Sequence, residues 1–315
     1  MKLLVTGASG LVGSSVANTA VRKGLRVLGQ TRTNDLGDLP VFTSDISAST
    51  DWSSALNGVD CIVHCAARVH QMKDGDHSRM DAYRDVNTYG TLNLARQAAE
   101  HSVKRFVFIS SIKVNGEITV SGAPFVSQSH QVPSEPYGLS KYEAEQELWK
   151  IAEETGLEVV VIRPPLVYGP GVKANFLSMM NWVYKGIPLP LGAIHNQRSL
   201  VFLDNLVDLI LTCCAHPNAK GQTFLVSDNE DVSTSQLLSL VAKAMDKSNR
   251  MLPIPMSWLS LAARLIGKPQ IAQRLCGNLQ VDISNTVEKL SWKPPYSLEY
   301  GIQKTVDAYL KSNTI

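Results

Sequence analysis

The chain has 315 residues, 44% hydrophobic and 18% charged, which suits a large globular domain or a domain with a smaller lobe and excludes a disordered chain. A formal charge of +2, without a long run of either sign, argues against a nucleic-acid partner, for which a basic stripe is expected. Apolar stretches such as Leu206 to Cys214 are too short and too polar to span a bilayer, so no membrane partner is expected.

The opening residues MKLLVTGASG enter a strand-like run and then a glycine turn, so a secretory signal is not expected. Cys61, Cys65, Cys213, Cys214 and Cys276 show no Cys-x-x-Cys pairing and sit largely among apolar residues. Reduced thiols in a cytoplasmic protein are expected.

Lys2–Thr6 reads as the first buried strand. It leads into Thr6-Gly7-Ala8-Ser9-Gly10-Leu11-Val12-Gly13 and then a helix with Val12, Val16, Ala17, Ala20 and Val21 on one face, ending near Gly24. Gly7 permits the sharp exit from the strand, Gly10 lets the backbone approach a pyrophosphate, and Gly13 lets helix and sheet pack closely. Ser9, Leu11 and Val12 complete the turn and the helix start, whose unsatisfied N–H groups and partial positive charge suit phosphates. Strand, turn and helix in this order predict a dinucleotide site.

Arg26–Gln30 reads as the second strand. NAD-preferring sites place an acid there, about 20 residues past the glycines, to hold the ribose 2′-OH. This chain has Gln30-Thr31-Arg32-Thr33, and its first carboxylate is Asp35. Thr31 and Arg32 are assigned to the cofactor, NAD or NADP, and Arg32 stands where a 2′-phosphate favours NADP. Thr43-Ser44-Asp45-Ile46 ends a further short strand. Asp45 accepts from the adenine amino group with Ile46 over the ring, or Asp45 caps a helix; the local sequence supports both.

Cys61–His64, Phe106–Ser110 and Glu158–Arg163 read as further buried strands, with Leu92, Leu94, Ala95, Ala98 and Ala99 on a helix between them. The alternation predicts an α/β fold, a Rossmann-like doubly wound parallel sheet covered on both faces. Ser110 and Ser111 follow a strand at the carboxyl edge of that sheet, where ligands of open α/β sheets bind. Tyr137 and Lys141 stand at i and i+4, hence on one face of a helix. Acting near pH 7 requires a tyrosine to shift by roughly 3 units, or about 4 kcal/mol. A cation about 4 Å away at an effective dielectric near 20 is worth about 4 kcal/mol, so one lysine, helped by an oxidised nicotinamide, is a sufficient lever. Such a pair alone usually means two exposed helix residues; Ser111 at the sheet edge makes Tyr137 a candidate acid/base.

After Arg163, Pro164, Pro165, Pro170, Pro188 and Pro190 break up the chain, and loops are expected until Phe202. A helix from about Asp204 to Ala215 and a strand from Thr223 to Ser227 return to the sheet. Helices follow near Thr234–Met245, Met256–Ile266 and Tyr300–Leu310. The expected division gives residues 1–168 with about 203–228 to the dinucleotide domain. Residues 169–202 with about 229–315 form a smaller, interleaved substrate-binding lobe.

Taken together, the glycine turn, Asp45-Ile46, His64-Cys65-Ala66-Ala67, Asn87 in DVNTYGT, Ser110-Ser111, Tyr137 with Lys141, and Arg163-Pro164-Pro165 leading to Val167-Tyr168-Gly169-Pro170-Gly171 carry a family resemblance. Over essentially its whole length the chain resembles an extended short-chain dehydrogenase/reductase of the nucleotide-sugar epimerase/dehydratase group. The resemblance implies a catalytic triad of Ser111, Tyr137 and Lys141, with Lys141 also holding the nicotinamide ribose. It implies that Ala66, Ala67 and Pro164 line the cofactor and that Asn87 supports the active-site backbone. The chain is most similar to UDP-sugar 4-epimerases and 4-ketosugar reductases, especially those acting on UDP-N-acetylhexosamines such as UDP-N-acetylquinovosamine. Asn175 matches the place of a substrate-phosphate or uridine contact, and Arg198 and Arg274 match arginines that clamp the diphosphate, a task suited to a planar guanidinium.

Dehydratases of the group carry Thr-Asp-Glu where this chain has Ser111-Ile112-Lys113, so dehydration is disfavoured. Asn115 and Glu117 stand where they would face an unusual substrate group, and Asn115 is assigned to the substrate. The resemblance also implies a homodimer. His64, His70 and His77 make no ligand set, and no metal is proposed. The rival reading is a non-catalytic dinucleotide sensor on the same fold.

Overall fold

The computed structural model describes residues 1–33, 36–69, 76–128, 131–265, 267, 273 and 275–313. In its first half, strands and helices alternate. They are β1 (Lys2–Thr6), α1 (Leu11–Arg22), β2 (Arg26–Thr31), β3 (Val41–Thr43), α2 (Ser53–Leu56), β4 (Cys61–His64) and α3 (Asp76–Tyr83). A π-helical turn over Arg84–Gly90 then runs into α4 (Thr91–Glu100), followed by β5 (Arg105–Ile109), a 3-10 turn at Ile112–Val114, α5 (Pro136–Thr155) and β6 (Glu158–Arg163). Beyond them lie β7 (Leu166–Tyr168), α6 (Ala174–Tyr184), β8 (Leu200–Phe202), α7 (Leu203–Ala215), β9 (Gln222–Leu225) and α8 (Thr234–Ala244). The last helices are α9 (Met256–Leu265), α10 (Ser284–Leu290) and α11 (Leu298–Asn313).

Seven strands form one parallel sheet in the order β3-β2-β1-β4-β5-β6-β9, the doubly wound Rossmann-like arrangement expected from the sequence. The strand order reverses between β1 and β4, which opens a crevice beyond their carboxyl ends. There Thr6 pairs with Gln30 on one side and with His64 on the other.

Both faces of the sheet are covered, so its strands read as unbroken apolar runs. Leu3, Val5, Val63 and Val107 pack on one side with Val16, Ala17 and Ala20 of α1 and Leu206 and Ile210 of α7. Leu4, Ile62, Phe106 and Phe108 pack on the other with Leu94 and Ala98 of α4 and Ala144 and Leu148 of α5. Burying each such large side chain contributes about 1.5–3 kcal/mol, so the strand ends that carry the site are firmly held.

A third cluster contains Tyr168, Phe176, Met180, Leu237, Val241 and Ile302. It corrects the expectation of loops up to Phe202. Helix α6 buries Phe176, Met180 and Val183 at i, i+4 and i+7, and β7 pairs parallel with β8. The flanking prolines mask that period in the sequence. Residues Leu279, Val281, Ile283, Leu290 and Trp292 return to the sheet-side cluster, although the expected division gives them to the substrate lobe.

One buried carboxylate ties these parts together. Asp228 accepts from the Tyr168 hydroxyl at 2.7 Å, the Phe202 amide at 2.8 Å and Asn205 Nδ2 at 2.7 Å. Asn205 Oδ1 in turn accepts from the Tyr296 amide at 2.9 Å. Gly301 must lack a side chain here, since a Cβ would lie 2.6 Å from the Tyr168 hydroxyl. No helix among the described residues is long and apolar enough to cross a membrane.

Candidate active site

The glycine turn leaves β1 with Gly7 at φ +63°, and a Cβ on Gly7 would lie 2.8 Å from the Ala66 Cα. A Cβ on Gly13 would meet the Gly7 carbonyl oxygen at 2.2 Å, and the Gly10 amide donates to that same oxygen at 2.9 Å. Helix α1 follows with no side-chain cap at Gly10, so the first-turn amides of Leu11 and Val12 stay available to an anion. The Gly169–Gly171 turn comes over this start, with the β position of Gly171 3.7 Å from Leu11 Cδ1. Shape, bare backbone and dipole together fit a dinucleotide pyrophosphate.

Gln30 is a functional residue that sequence reasoning passes over. Its buried Oε1 accepts from the Gly7 amide at 3.0 Å, and its Nε2 donates to the Ser44 carbonyl at 2.7 Å. It pins the glycine turn to the end of β3 instead of meeting a ribose. Thr31 Oγ1 donates to Ser9 Oγ at 3.3 Å, and Arg32 is exposed just beyond β2. Asp35 lies outside the described residues. Asp45 is exposed, and its carbonyl accepts from Thr50 Oγ1 at 3.0 Å. The helix that follows, α2, has Trp52 at its N-cap and no side-chain cap, and Asp51 Oδ1 accepts from the Ser53 amide at 2.9 Å. Ile46 packs on Gly90, where a Cβ would come within 2.7 Å of it.

His64 is fully buried between Thr6 Oγ1, 2.7 Å from its Nδ1, and Thr91 Oγ1, 2.9 Å from its Nε2. Because Thr91 Oγ1 donates to the Asn87 carbonyl at 2.8 Å, it must accept from His64, which assigns the proton to Nε2. Burial, with Lys141 adding to it, lowers the His64 pKa to about 3, so the ring is neutral. It is a structural residue. His70 and the side chain of His77 lie outside the described residues.

Asn87, on the π-helical turn, uses both ends of its carboxamide. Oδ1 accepts from the Arg68 amide at 2.8 Å, while Nδ2 donates to the Arg68 carbonyl at 3.1 Å and Ser140 Oγ at 3.0 Å. It therefore couples the segment after half-buried Ala66 and Ala67 to α5.

Helix α5 begins at Pro136, capped by Glu135, and presents both Tyr137 and Lys141. Lys141 is buried, donates to the Ile109 carbonyl at 3.0 Å and lies 4.4 Å from the centre of the Phe108 ring. Burial lowers its pKa to about 8, opposed by Cys65 and Glu145. The neighbouring Cys65 thiol is pushed up by burial to about 12 and stays protonated.

Tyr137 is half-buried, with Tyr83 edge-on at 6.1 Å between ring centres. Burial, then the Glu135 carboxylate, then Tyr83 push its phenol above the usual range. The lowering expected from Lys141 together with an oxidised nicotinamide belongs to the cofactor-bound form. In the chain alone that ammonium is directed at the Ile109 carbonyl, and desolvation governs the phenol.

Ser111 caps the 3-10 turn, its Oγ accepting from the Lys113 amide at 3.2 Å. Pro164 is buried, and its carbonyl accepts from the Ile112 amide at 3.0 Å, which seats the same turn against β6. Gly138 brings turn and helix together, since a Cβ there would lie 3.0 Å from the Lys113 carbonyl oxygen. Ser111 thus stands on the turn after β5, and Tyr137 and Lys141 stand on the helix packed against that turn.

Asn115 requires a correction. Its Nδ2 donates to the Val126 carbonyl at 2.7 Å and its Oδ1 accepts from Arg163 Nη1 at 3.0 Å. It is buried and directed into the protein, not toward a substrate. It belongs to a network that sequence reasoning missed, in which Arg163 Nε donates to Glu145 Oε1 at 3.0 Å and Ser110 Oγ donates to the same carboxylate. Glu145 stands four residues after Lys141, on its inward face of α5, and that period is the signal in the sequence.

Of the expected substrate residues, Asn175 is exposed in the first turn of α6. Arg198 is half-buried and donates to the Gly277 carbonyl at 3.1 Å, with its pKa lowered by burial. Arg274 lies outside the described residues. The adjoining Leu275 and Gly277 carbonyls accept from Asn196 Nδ2 at 3.1 and 3.0 Å.

Residues 3–227 match the model of the NAD dependent epimerase/dehydratase family. The chain is 49% identical over 315 residues to a UDP-glucose 4-epimerase of Vibrio cholerae, covering 99% of this chain and 96% of that one. It is 26% identical to an N-acetyl-alpha-D-glucosaminyl-diphospho-ditrans,octacis-undecaprenol 4-epimerase of Escherichia coli O157:H7, covering 96% and 94%. Among solved structures, UDP-glucuronic acid 4-epimerase from Bacillus cereus in complex with NAD superposes with a TM-score of 0.80 at 21% identity, covering 100% and 98%. UDP-N-acetylglucosamine 4-epimerase from Bacillus cereus gives 0.80 at 20% identity, covering 99% of each chain.

Proposed function

Because the chain belongs to the NAD dependent epimerase/dehydratase family, we propose that it inverts C4 of a UDP-hexose, with NAD as the bound redox partner. The observation that supports the reading is a bare glycine cradle after β1 in a chain that also carries Tyr137 and Lys141 on one helix and Ser111 on the turn packed against it. The activities named for the relatives favour epimerisation over a one-way reduction of a 4-keto sugar, and over a non-catalytic sensor. Among sugars, UDP-glucose and UDP-N-acetylglucosamine, with its 6-deoxy form, are the candidates to compare.

In this reading Gly7, Gly10 and Gly13 with the amides of Leu11 and Val12 hold the pyrophosphate. Thr31 and Arg32 lie at the ribose, Asp45 and Ile46 at the adenine, and Ala66 and Ala67 along the nicotinamide half. When bound, NAD accepts and returns hydride at the sugar carbon and brings the positive charge of its oxidised ring. Tyr137 Oη removes the proton of the sugar 4-hydroxyl and later returns it, while the Ser111 hydroxyl hydrogen-bonds the same oxygen. Lys141 contributes a buried cation on the same helix face, and Arg198 with Arg274 holds the diphosphate. The 4-keto sugar turns over between the two transfers. Residues 1–168 with about 203–228 serve the cofactor and most of the remainder serves the sugar nucleotide, while Leu279, Val281, Ile283, Leu290 and Trp292 pack back on the sheet side. The acting form is a cytoplasmic homodimer by family resemblance.

The test is to incubate the purified protein with UDP-glucose or UDP-N-acetylglucosamine, with and without added NAD, and follow the C4 epimer by proton NMR. Conversion that falls at least about 100-fold in Tyr137→Phe supports the reading. Near-normal turnover by that variant overturns it.

A further inference from the structure

The turn after β5 carries a cation, Lys113, that the proposed reaction does not use. Its Nζ lies 3.1 Å from Glu135 Oε2, 3.7 Å from Glu117 Oε1 and 5.8 Å from the centre of the Tyr137 ring. Glu135 is also the N-cap of α5, accepting from the Tyr137 amide at 3.3 Å and the Gly138 amide at 3.0 Å. The helix dipole favours a carboxylate in that place, so an ionised group is fixed two residues before the phenol. The close approach of Gly138 to the Lys113 backbone, 3.0 Å for a Cβ, prevents the pair from drifting away from Tyr137.

We propose that Lys113 and Glu135 are positioning residues that govern how readily Tyr137 releases its proton, Lys113 promoting release and Glu135 opposing it. The proposal rests on the reading of Tyr137 as the acid/base of the site. Partly exposed ion pairs contribute little to stability, so the consequence of this one lies in the charge it places beside the phenol. An opposite charge within about 4–6 Å shifts a titrating group by about one unit or more.

The other groups facing Tyr137 are accounted for. Tyr83 stands edge-on at 6.1 Å between ring centres. Arg84 next to it is held by Glu143 at 2.8 Å. Lys141, one turn further along α5, donates to the Ile109 carbonyl. Glu117 is partly exposed and reaches the site through Lys113. Burial raises the phenol most, then the Glu135 carboxylate, then Tyr83.

The experiment uses the full chain with NAD bound and its tyrosines labelled at 13Cζ, the Tyr137 resonance being assigned from its loss in Tyr137→Phe. Lys113→Gln is expected to raise the midpoint of that resonance by about one unit, and Glu135→Gln to lower it by about as much. The double variant returns toward the wild type, and Lys113→Arg rescues Lys113→Gln. The alkaline-going limb of the kcat/KM profile with a UDP-sugar moves with each midpoint. A merely structural pair changes unfolding midpoints and leaves the titration where it was, which overturns the proposal. If the resonance moves as expected but no variant converts a UDP-sugar, the proposal stands and the reaction assigned above fails. If sugar is converted but neither single substitution moves the resonance, the reaction stands and the proposal is overturned.

Discussion

His64 Nδ1 and Thr6 Oγ1 lie 2.7 Å apart at the point where the strand order reverses, joining β4 to β1 by side chains as well as backbone. The Ala66 amide donates to the same threonine oxygen at 3.3 Å, so a directed chain runs from Ala66 through Thr6, His64 and Thr91 to the Asn87 carbonyl. A protonated ring would have to donate at Nδ1 as well, against a hydroxyl that already donates there.

Acid lability follows. His64 titrates near its ordinary value of about 6.5 when unfolded and at about 3 when folded. The unfolded chain therefore binds the proton first, and stability present above about pH 6.5 is lost as pH falls toward the folded value. The loss approaches about 5 kcal/mol across that window. Urea unfolding at stepped pH is expected to show this slope in the wild type and a flatter one in His64→Gln.

The Arg163–Glu145 pair is sensitive to removal of one partner. Both side chains are buried, and Ser110 and Asn115 complete their hydrogen bonds. Arg163→Met leaves an unpaired buried carboxylate and is expected to cost about 3–5 kcal/mol in urea unfolding. Replacing both partners by apolar residues is expected to cost less than the single change, because no charge is left behind.

Gly13→Ala is expected to leave the core packed and to weaken the cofactor site. Its Cβ would press on the Gly7 carbonyl oxygen at 2.2 Å, and the turn must shift to admit it. Calorimetric titration should show NAD affinity reduced at least about 10-fold, or about 1.4 kcal/mol. An unchanged affinity would mean that the turn does not hold the pyrophosphate.

Arg32 is exposed at the end of β2, so its removal should be silent for folding. Arg32→Ala is expected to hold NAD as the wild type does and to bind NADP more weakly, since only the 2′-phosphate offers it a partner. Identical NAD-to-NADP ratios in the two proteins, measured by calorimetry, would remove Arg32 from cofactor choice.

How much the sequence discloses depends on how local the signal is. The buried strands and the glycine turn announce themselves within a few neighbouring residues, and Lys2–Thr6, Cys61–His64 and Glu158–Arg163 fall where their apolar runs predict. Tyr137 and Lys141 share one helix, so their common face follows from spacing alone. Gln30 reads as an ordinary strand residue, and only the fold brings its amide to Gly7, 23 residues away. Asn115 meets Arg163 across 48 residues, a pairing no period encodes. For the same reason the raised proton affinity of Tyr137 is invisible in the chain. It comes from desolvation and from Glu135, both products of packing.

The Asp228 carboxylate gathers a phenol, a backbone amide and a carboxamide from β7, β8 and α7. Prising any one of them loose strands an anion in oil, so these segments travel together or not at all. The lobe beyond β6 is thereby hung on the sheet at a single ionic knot, and its strands and helices keep one spacing.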